Sequence, residues 1–217
     1  MRIGVIAEGV TDHRILEDIL IGYFDDEEAF EYITLQPVFD TTDQSAENIQ
    51  GGWGHVIKYC ESHEKLNNNL LDVDFLLIQI DSDICEKLNI DRTGSESPDV
   101  VVEKVKNRLI EAISIELYEA FESKIIFAIA VEMMECWLLP VHESDKKKRE
   151  KTVGCIATLN KAIQPKLKFS IDEKNKNYRY YEILSESFIK RKNLIKYYPF
   201  NPSFAIFYDQ LTRKIVL

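Results

Sequence analysis

An apolar run near the middle of the chain, which ends in two carboxylates, constrains the fold most. Residues 73–80 are apolar except at two positions, one of them Gln79, and Asp81 and Asp83 follow. A run that is apolar on both faces is typical of a strand buried in a parallel sheet. If the extended backbone continues, Asp81 and Asp83 point the same way, about 7 Å apart. Ligands of open α/β sheets bind outside the carboxyl ends of the strands, so this stretch predicts an acidic site there.

The acidic pair favours a hard divalent cation. Two like charges held in one crevice repel each other unless a cation lies between them. The chain shows no paired His or Cys spacing, and oxygen ligands alone favour Mg²⁺ or Mn²⁺ over zinc. The alternative is a solvated turn after a strand, where Asp is common.

The segments around this strand alternate between strand and helix patterns. Residues 2–7 predict a strand, and the helix that follows has Thr11 as its N-cap and Asp12 in its first turn. The order β-α-β-α-β-α-β-α predicts an α/β fold with a mainly parallel sheet and helices on both faces. The remaining predicted elements are a strand over 32–39, a helix opened by the glycines at 51–54, a helix over 98–121, a strand over 125–131 and a helix over 146–163. The glycine cluster could cradle a phosphate at its helix N-terminus.

Carboxylates also follow two other predicted strands. Glu8, with Asp12, follows the first strand, and Glu132 and Glu135 follow the strand over 125–131. Two glutamates three apart at the start of a helix share one face. Because adjacent parallel strands lie about 4.8 Å apart, carboxylates at neighbouring tips can converge on one or two cations. The predicted metal ligands are Glu8, Asp12, Asp81, Asp83, Glu132 and Glu135.

The net charge of −10 hides a division along the chain. Through Pro140 there are 10 basic and 29 acidic residues, whereas from Val141 there are 17 and 8. This predicts an acidic metal-binding domain over 1–140 and a small, basic, aromatic-rich C-terminal subdomain over 141–217. A basic surface beside an acidic, cation-requiring pocket suits a polyanionic substrate, although the two halves could simply attract each other. The predicted nucleic-acid-binding residues are Lys146, Lys147, Lys148, Arg149, Arg179, Arg191 and Lys192.

Several features exclude other classes of protein. No stretch approaches 18 consecutive apolar residues, so no membrane span is expected. The N-terminus has no signal-peptide pattern, and the four cysteines form no C-x-x-C pair. We therefore expect reduced thiols and a cytoplasmic protein. The chain also lacks a P-loop, so it is not expected to hydrolyse ATP itself.

The acidic motifs resemble those of a known family. Glu8-Gly9-Val10-Thr11-Asp12 and Asp81-Ser82-Asp83 resemble the two signature motifs of the Toprim domain, the metal-binding fold of topoisomerases, primases and overcoming-lysogenization-defect (OLD) nucleases. The later Glu-x-x-Glu-x-Trp-Leu-Leu, from Glu132, resembles small stand-alone OLD-like Toprim proteins of bacteria. Some of those are anti-phage effectors that work beside an ABC-type ATPase. The resemblance covers about residues 1–140.

The resemblance implies roles for these residues. Glu8 would be a metal ligand or general acid/base, and Asp81 and Asp83 would be metal ligands. Asp12 and Glu135, with Glu132 as a further ligand, would hold a second metal. A two-metal site clamps the attacking and leaving oxygens of a phosphodiester. The implied protein is an Mg²⁺- or Mn²⁺-dependent nuclease controlled by an ABC-type ATPase, with Glu8, Asp81 and Asp83 as its catalytic residues.

Other functions share parts of this pattern. Asp-x-Asp also opens the phosphatase motif of haloacid dehalogenases, but there it follows the first strand, and Cys85 stands where Thr or Val is needed. A receiver domain would need an acidic pair after the first strand and a Lys after the last. A non-catalytic, metal-binding module that docks on an ABC-type ATPase stays open. The substrate (tRNA, single-stranded DNA or duplex DNA) and homo-oligomer formation also stay open.

Overall fold

The computed structural model describes residues 1–37, 51–172 and 176–216 and contains one parallel sheet. The strand order is β2-β1-β3-β4, and all three pairings are parallel, which confirms the predicted α/β fold. Asp81, the last residue of β3, pairs with Ala130, the last residue of β4, so these two strands end level with each other. The strands are β1 (Arg2–Ile6), β2 (Glu31–Gln36), β3 (Phe75–Asp81) and β4 (Ile125–Ala130).

Helices cover both faces of the sheet. Successive residues of β3 point to opposite faces, so that Leu77 joins one apolar core while Leu76 and Ile78 join the other. The α-helices are α1 (Val10–Phe24), α2 (Trp53–Glu61), α3 (His63–Asp72), α4 (Pro98–Ile113), α5 (Ile115–Phe121), α6 (Glu135–His142), α7 (Lys146–Arg149), α8 (Cys155–Leu167), α9 (Tyr178–Ser185), α10 (Arg191–Tyr197) and α11 (Pro202–Lys214). Short 3-10 helices lie at Glu27–Ala29, Ser82–Leu88, Glu186–Ile189 and Tyr198–Phe200.

The basic C-terminal segment shares its core with the sheet. Trp137, which is fully buried, stacks on Phe204 and Phe207 of α11 with ring centroids 4.7 and 5.3 Å apart. Tyr181 and Phe188 are fully buried in the same core as β1 and β4. Helix α6 runs across the predicted boundary at residue 140. The division into two domains at residue 140 stays a prediction. In the structure, one apolar core contains residues from both sides of that position.

Side chains of helix α11 also form hydrogen bonds with the backbone of β4 at the outer edge of the sheet. Gln210 accepts a hydrogen bond from the Phe127 amide at 3.2 Å and donates one to its carbonyl at 3.0 Å. Lys214 donates to the Ile125 carbonyl at 2.7 Å. An uncovered edge strand is a template for pairing with another chain. The C-terminal helix therefore protects the sheet as well as completing its core.

Two predicted helices are wrong in their extent. The helix predicted over 98–121 is interrupted at Ser114, which has a φ of 75° and whose side chain accepts from the Leu117 amide to start α5. The helix predicted over 146–163 is divided into α7 and α8, with Gly154 in a left-handed conformation between them. A break of this kind needs only one residue with positive φ, which apolar periodicity does not reveal.

The ends of two other elements also differ from prediction. The N-cap of α1 is Gly9, and Thr11 lies inside the helix rather than at its start. Strand β2 ends at Gln36. The predicted end of that strand at Phe39 lies outside the described residues.

Candidate metal centre

Three strand ends place acidic residues at the same edge of the sheet. Glu8 follows β1, Asp81 is the last residue of β3, and Glu135 is the first residue of α6, just after β4. Gly9 has an extended backbone and caps α1, which puts Asp12 in the first turn of that helix. The sheet topology thus brings together carboxylates that are far apart in the sequence. We call Glu8, Asp12, Asp81 and Glu135 the carboxylate centre.

Hydrogen bonds fix the two carboxylates at the tips of β1 and β3. The Asp81 amide donates to Glu8 Oε1 at 2.7 Å, and the Glu8 amide donates to Gln79 Oε1 at 3.0 Å. Gln79 Nε2 in turn donates to Asp81 Oδ1 at 2.9 Å, and the Met134 amide donates to the same oxygen at 3.1 Å. Gln79 therefore cross-links the two strands from inside the sheet. Both carboxylates are held in place by the backbone of neighbouring elements.

The other two carboxylates of the centre each have an oxygen with no partner in the part of the chain that the structure describes. Asp12 is 2% exposed and Glu135 is fully buried. Among the described residues, neither Asp12 Oδ1 nor Glu135 Oε2 has a hydrogen-bond partner. Buried side-chain oxygens are normally hydrogen-bonded, because an unpaired one is costly. These two oxygens are thus available to a ligand of opposite charge.

A lysine from the basic segment enters the centre. Lys176 Nζ lies 3.0 Å from Glu135 Oε1, and Tyr181 Oη donates to the same oxygen at 2.5 Å. Burial lowers the pKa of the Lys176 ammonium, but Asp12 and Glu135 outweigh burial and leave that pKa above its usual value. Lys176 is therefore a fixed positive charge that neutralises part of the centre.

The carboxylates of the centre hold protons more tightly than usual. Burial, with a contribution from the charges of Asp12 and Asp83, raises the pKa of Glu8 to about 7. Burial likewise raises the pKa of Asp12 to about 6 and that of Asp81 well above its usual value. Several carboxylates with raised pKa values in one place are typical of functional sites. A divalent cation would relieve their repulsion.

Asp83 lies two residues after Asp81, just past the end of β3. The parallel orientation expected for Asp81 and Asp83 required an extended backbone through Asp83, and this condition is not met, because a 3-10 helix begins at Ser82. Asp83 is exposed, and its amide donates to the Glu132 carbonyl at 3.1 Å. Its charge still raises the pKa of Glu8, so Asp83 belongs to the same electrostatic environment.

Glu132 is oriented differently from Glu135. The prediction that the two glutamates share one helix face is wrong, since Glu132 precedes α6 and has a φ of 66°. Its carboxylate accepts from the Gly154 amide at 3.0 and 3.1 Å, at the N-terminus of α8. Its amide donates to Ser82 Oγ at 2.8 Å. The structure therefore connects Glu132 to α8.

A disulfide also connects α6 to α8. Cys136 and Cys155 are bonded, with their Cα atoms 5.1 Å apart, so the prediction of four reduced thiols is wrong for this pair. Cys60 and Cys85 are free and buried. The two bonded cysteines are 19 residues apart, and no motif in the sequence links them.

Two glycines pack against the backbone of Glu8. The Gly52 amide donates to the Glu8 carbonyl at 2.6 Å, and a Cβ on Gly51 would lie 2.4 Å from the same oxygen. A side chain at residue 51 would therefore push the backbone away from the centre. The suggestion that this glycine cluster cradles a phosphate stays a prediction.

The predicted nucleic-acid-binding residues fall into two groups. Arg149 and Arg191 are partly buried and form hydrogen bonds within the protein. Arg149 donates to the Glu143 carbonyl at 2.6 Å, and Arg191 donates to the Tyr23 carbonyl at 3.1 Å. Lys148 lies 3.4 Å from a Glu143 oxygen. The exposed members are Lys146, Lys147, Lys148, Arg179 and Lys192.

Sequence reasoning missed three residues that shape the centre. Gln79 carried a usable signal, because it is a polar residue inside an otherwise apolar strand. Lys176 is one of 17 basic residues in its half of the chain, and nothing in its spacing distinguishes it. Tyr181 lies in an aromatic run, where only the folded chain reveals which ring faces Glu135.

Comparisons with family models, with curated proteins and with solved structures find no match for this chain. Among the described residues, no helix combines the length and the apolar character that crossing a membrane requires. The function is therefore argued from the carboxylate centre itself.

Proposed function

We propose that the protein is an Mg²⁺- or Mn²⁺-dependent nuclease that cleaves phosphodiester bonds of nucleic acid. One observation carries this proposal: carboxylates that follow three strand ends lie at one edge of the sheet, and two buried ones, Asp12 and Glu135, each have an oxygen with no partner among the described residues. A stable fold rarely leaves such oxygens unpaired unless a ligand binds them.

The donor set fits a hard cation. Glu8, Asp12, Asp81 and Glu135 offer carboxylate oxygens, the exposed Asp83 lies nearby in sequence, and Mg²⁺ and Mn²⁺ prefer such ligands. When bound, these ions would polarise a phosphate oxygen and lower the pKa of a water molecule. The hydrogen bonds of Gln79 and of the Asp81 amide hold two of the carboxylates in fixed positions. The protein would thus supply a preorganised site.

Lys176 is the cationic side chain that this chemistry needs. It lies among the carboxylates, 3.0 Å from Glu135, and stays protonated because its pKa is raised. A fixed ammonium at such a site can bind the negative charge that develops on a phosphate oxygen. Lys176 would therefore help to orient and stabilise the scissile phosphate.

The exposed basic residues support a polyanionic substrate. Lys146 and Lys147 lie on α7, and Arg179 and Lys192 lie on other helices of the same C-terminal segment. Phosphate contacts of this kind position a nucleic acid without reading its sequence. They would offset the repulsion between an acidic centre and its substrate.

The nuclease would act in the cytoplasm as an effector of a bacterial defence system. The motifs at Glu8 and Asp81 resemble those of OLD-like Toprim proteins, some of which work beside an ABC-type ATPase. Because this chain has no P-loop, control by ATP would come from such a partner.

A second candidate is a non-catalytic module that docks on an ATPase. The position of Lys176 favours it, since an internal ammonium already neutralises part of the centre without any metal. In that case the centre would stabilise a docking surface rather than cleave a substrate.

Cleavage assays separate the two candidates. Purified protein, alone and with a partner ATPase, is incubated with tRNA, single-stranded DNA and duplex DNA in Mg²⁺ or Mn²⁺. We expect metal-dependent cleavage that falls at least about 10²-fold in Glu8→Gln, because removing one preorganised catalytic group typically costs that much. The matched control, Glu64→Gln on the exposed side of α3, should cleave like wild type.

Two outcomes would contradict the nuclease proposal. Cleavage that is unchanged in Glu8→Gln would place the activity elsewhere or in a contaminant. No cleavage of any substrate in any condition, with ATPase binding that persists in Glu8→Gln, would support the docking module instead.

A further inference from the structure

Glu132, Cys136 and Cys155 bring one carboxylate and two sulfur atoms together outside the carboxylate centre. One ligand atom from each residue lies within 4.8 Å of the other two. The residues come from three elements: the segment after β4, the first turn of α6 and the first position of α8. Both cysteines are fully buried. This cluster differs in chemistry from the carboxylate centre, because two of its donors are sulfur.

The spacing of the two cysteines suits a shared metal as well as a disulfide. Their Cα atoms are 5.1 Å apart. A tetrahedral zinc ion with Zn–S distances of about 2.3 Å needs its two sulfurs about 3.8 Å apart. Side-chain rotation after reduction can provide that separation without moving α6 or α8. The same two sulfurs can therefore form either a disulfide or two bonds to a metal ion, but not both at once.

The backbone of Glu132 aims its carboxylate at this pair. Its φ of 66° is unusual for a residue other than glycine and costs free energy, and such positions concentrate at functional sites. Two hydrogen bonds hold the conformation: the Glu132 amide donates to Ser82 Oγ at 2.8 Å, and the Asp83 amide donates to the Glu132 carbonyl at 3.1 Å. The carboxylate accepts from Gly154, and each carboxylate oxygen has a further lone pair for a metal.

A cavity gives this cluster an open side. It has a volume of about 460 Å³, and Glu132 and Cys155 form part of its wall. A water molecule or a small ligand could reach a metal from there. Three protein ligands plus one open position is the arrangement of catalytic zinc sites, whereas structural zinc sites use four protein ligands.

We propose that the reduced Cys136 and Cys155 pair, with Glu132, binds a zinc-class divalent ion, and that the disulfide is the alternative, metal-free state of the same site. A dithiol reductant supplies two electrons and two protons, which convert the disulfide into two thiols while the reductant becomes a disulfide. Metal binding then releases the two thiol protons, since the ligands are thiolates. A chain that takes up metal while it folds needs no reductant. This inference does not depend on the proposed nuclease function.

Cobalt is the probe, because a sulfur-to-cobalt charge-transfer band in the near ultraviolet reports thiolate ligation directly. The full chain is purified under reducing conditions, its four thiols are verified, and Co²⁺ is added. We expect the band in wild type, a weaker band in Cys155→Ser, its loss in Cys136→Ser/Cys155→Ser, and Co²⁺ affinity at least about tenfold weaker in Glu132→Gln, since even outer-shell changes cost about 10- to 100-fold. The carboxylate centre has no sulfur ligand and does not produce this band.

Cys60→Ser is the matched control, because Cys60 is a buried free cysteine on α2. It should keep the full band. If reduced wild type with native circular dichroism shows no band at saturating Co²⁺, the inference is wrong. A band that survives in Cys136→Ser/Cys155→Ser, or one that disappears in Cys60→Ser, would also overturn it. The measurement on wild type needs no variant to fold.

Discussion

Asp12 and Asp18 lie on the same helix, are both buried, and have different surroundings. Burial raises the pKa of each to about 6. Asp18 Oδ2 accepts from Ser185 Oγ at 2.5 Å, and its other oxygen binds Arg14. Asp12 Oδ1 has no partner among the described residues. The two aspartates thus have the same burial and the same pKa direction, and only their partners distinguish them.

Under the proposed function, this difference separates a structural carboxylate, Asp18, from a ligand-binding one, Asp12. Asp18 joins α1 to α9 through Ser185, and both of its oxygens are satisfied by the fold. Asp12 carries the cost of burial without full compensation. We infer that Asp18 contributes to stability and that Asp12 is kept for a ligand. A shifted pKa alone would not have told them apart.

The largest expected effect on stability is at Lys176. Replacing it in Lys176→Met leaves the buried charges of Asp12 and Glu135 without their cation, and breaking a buried pair typically costs about 3–5 kcal/mol. We expect the free energy of unfolding in EDTA to fall by about 3 kcal/mol, measured by urea denaturation. The exposed Lys161→Met on α8 should change it by less than about 0.5 kcal/mol.

Two further results bear on Lys176. Adding Glu135→Gln to Lys176→Met should recover much of the loss, because the double change removes both charges of one pair. If Lys176→Met unfolds at the same urea concentration as wild type, Lys176 does not stabilise the buried charges of Asp12 and Glu135, and the prediction is wrong.

A smaller loss is expected at Asp18. In Asp18→Asn the shape is retained but the charge that pairs with Arg14 is lost, and we expect a decrease of about 2 kcal/mol in the free energy of unfolding. Asp12→Asn should be no less stable than wild type without metal, since it removes a charge that burial disfavours despite the attraction to Lys176. If both variants lose the same free energy of unfolding, the different hydrogen-bond partners of Asp12 and Asp18 do not affect stability.

A further expected effect is a pH dependence of stability in the metal-free protein. Folded Glu8, with a pKa of about 7 against an ordinary 4.5, binds its proton more tightly than the unfolded chain does. The folded state therefore carries more protons between these values, and the contribution of Glu8 to stability falls as pH rises through that window. Urea denaturation across this range in EDTA should show a steeper decline for wild type than for Glu8→Gln. A difference that grows in the opposite direction would contradict the raised pKa.

The sequence predicts the sheet and the strand-tip carboxylates because both depend on local patterns. Apolar runs such as 73–80 indicate buried strands, and parallel strands align their carboxyl ends wherever they lie in the chain. Glu8 and Asp81 could therefore be placed together from the sequence alone. Gln79 could also have been noticed, since a polar side chain in a buried strand needs a partner.

The rest of the centre depends on contacts that no local pattern encodes. Lys176 enters from a segment that follows α8, and only the packing of α9 against α1 brings it near Asp12. Glu132 does not share a helix face with Glu135 because Glu132 itself has a positive φ, and no sequence pattern predicts this conformation. The Cys136–Cys155 bond depends likewise on how α6 meets α8.

Mn²⁺ titration, followed by calorimetry, tests the central claim most directly. We compare wild type with Asp12→Asn and Asp18→Asn, a pair on one helix with matched burial. We predict that wild type binds Mn²⁺, that Asp12→Asn binds it at least about tenfold more weakly, and that Asp18→Asn stays within about twofold of wild type. No binding by wild type, or equal affinities for wild type and Asp12→Asn, would contradict the assignment of this carboxylate centre as a metal site.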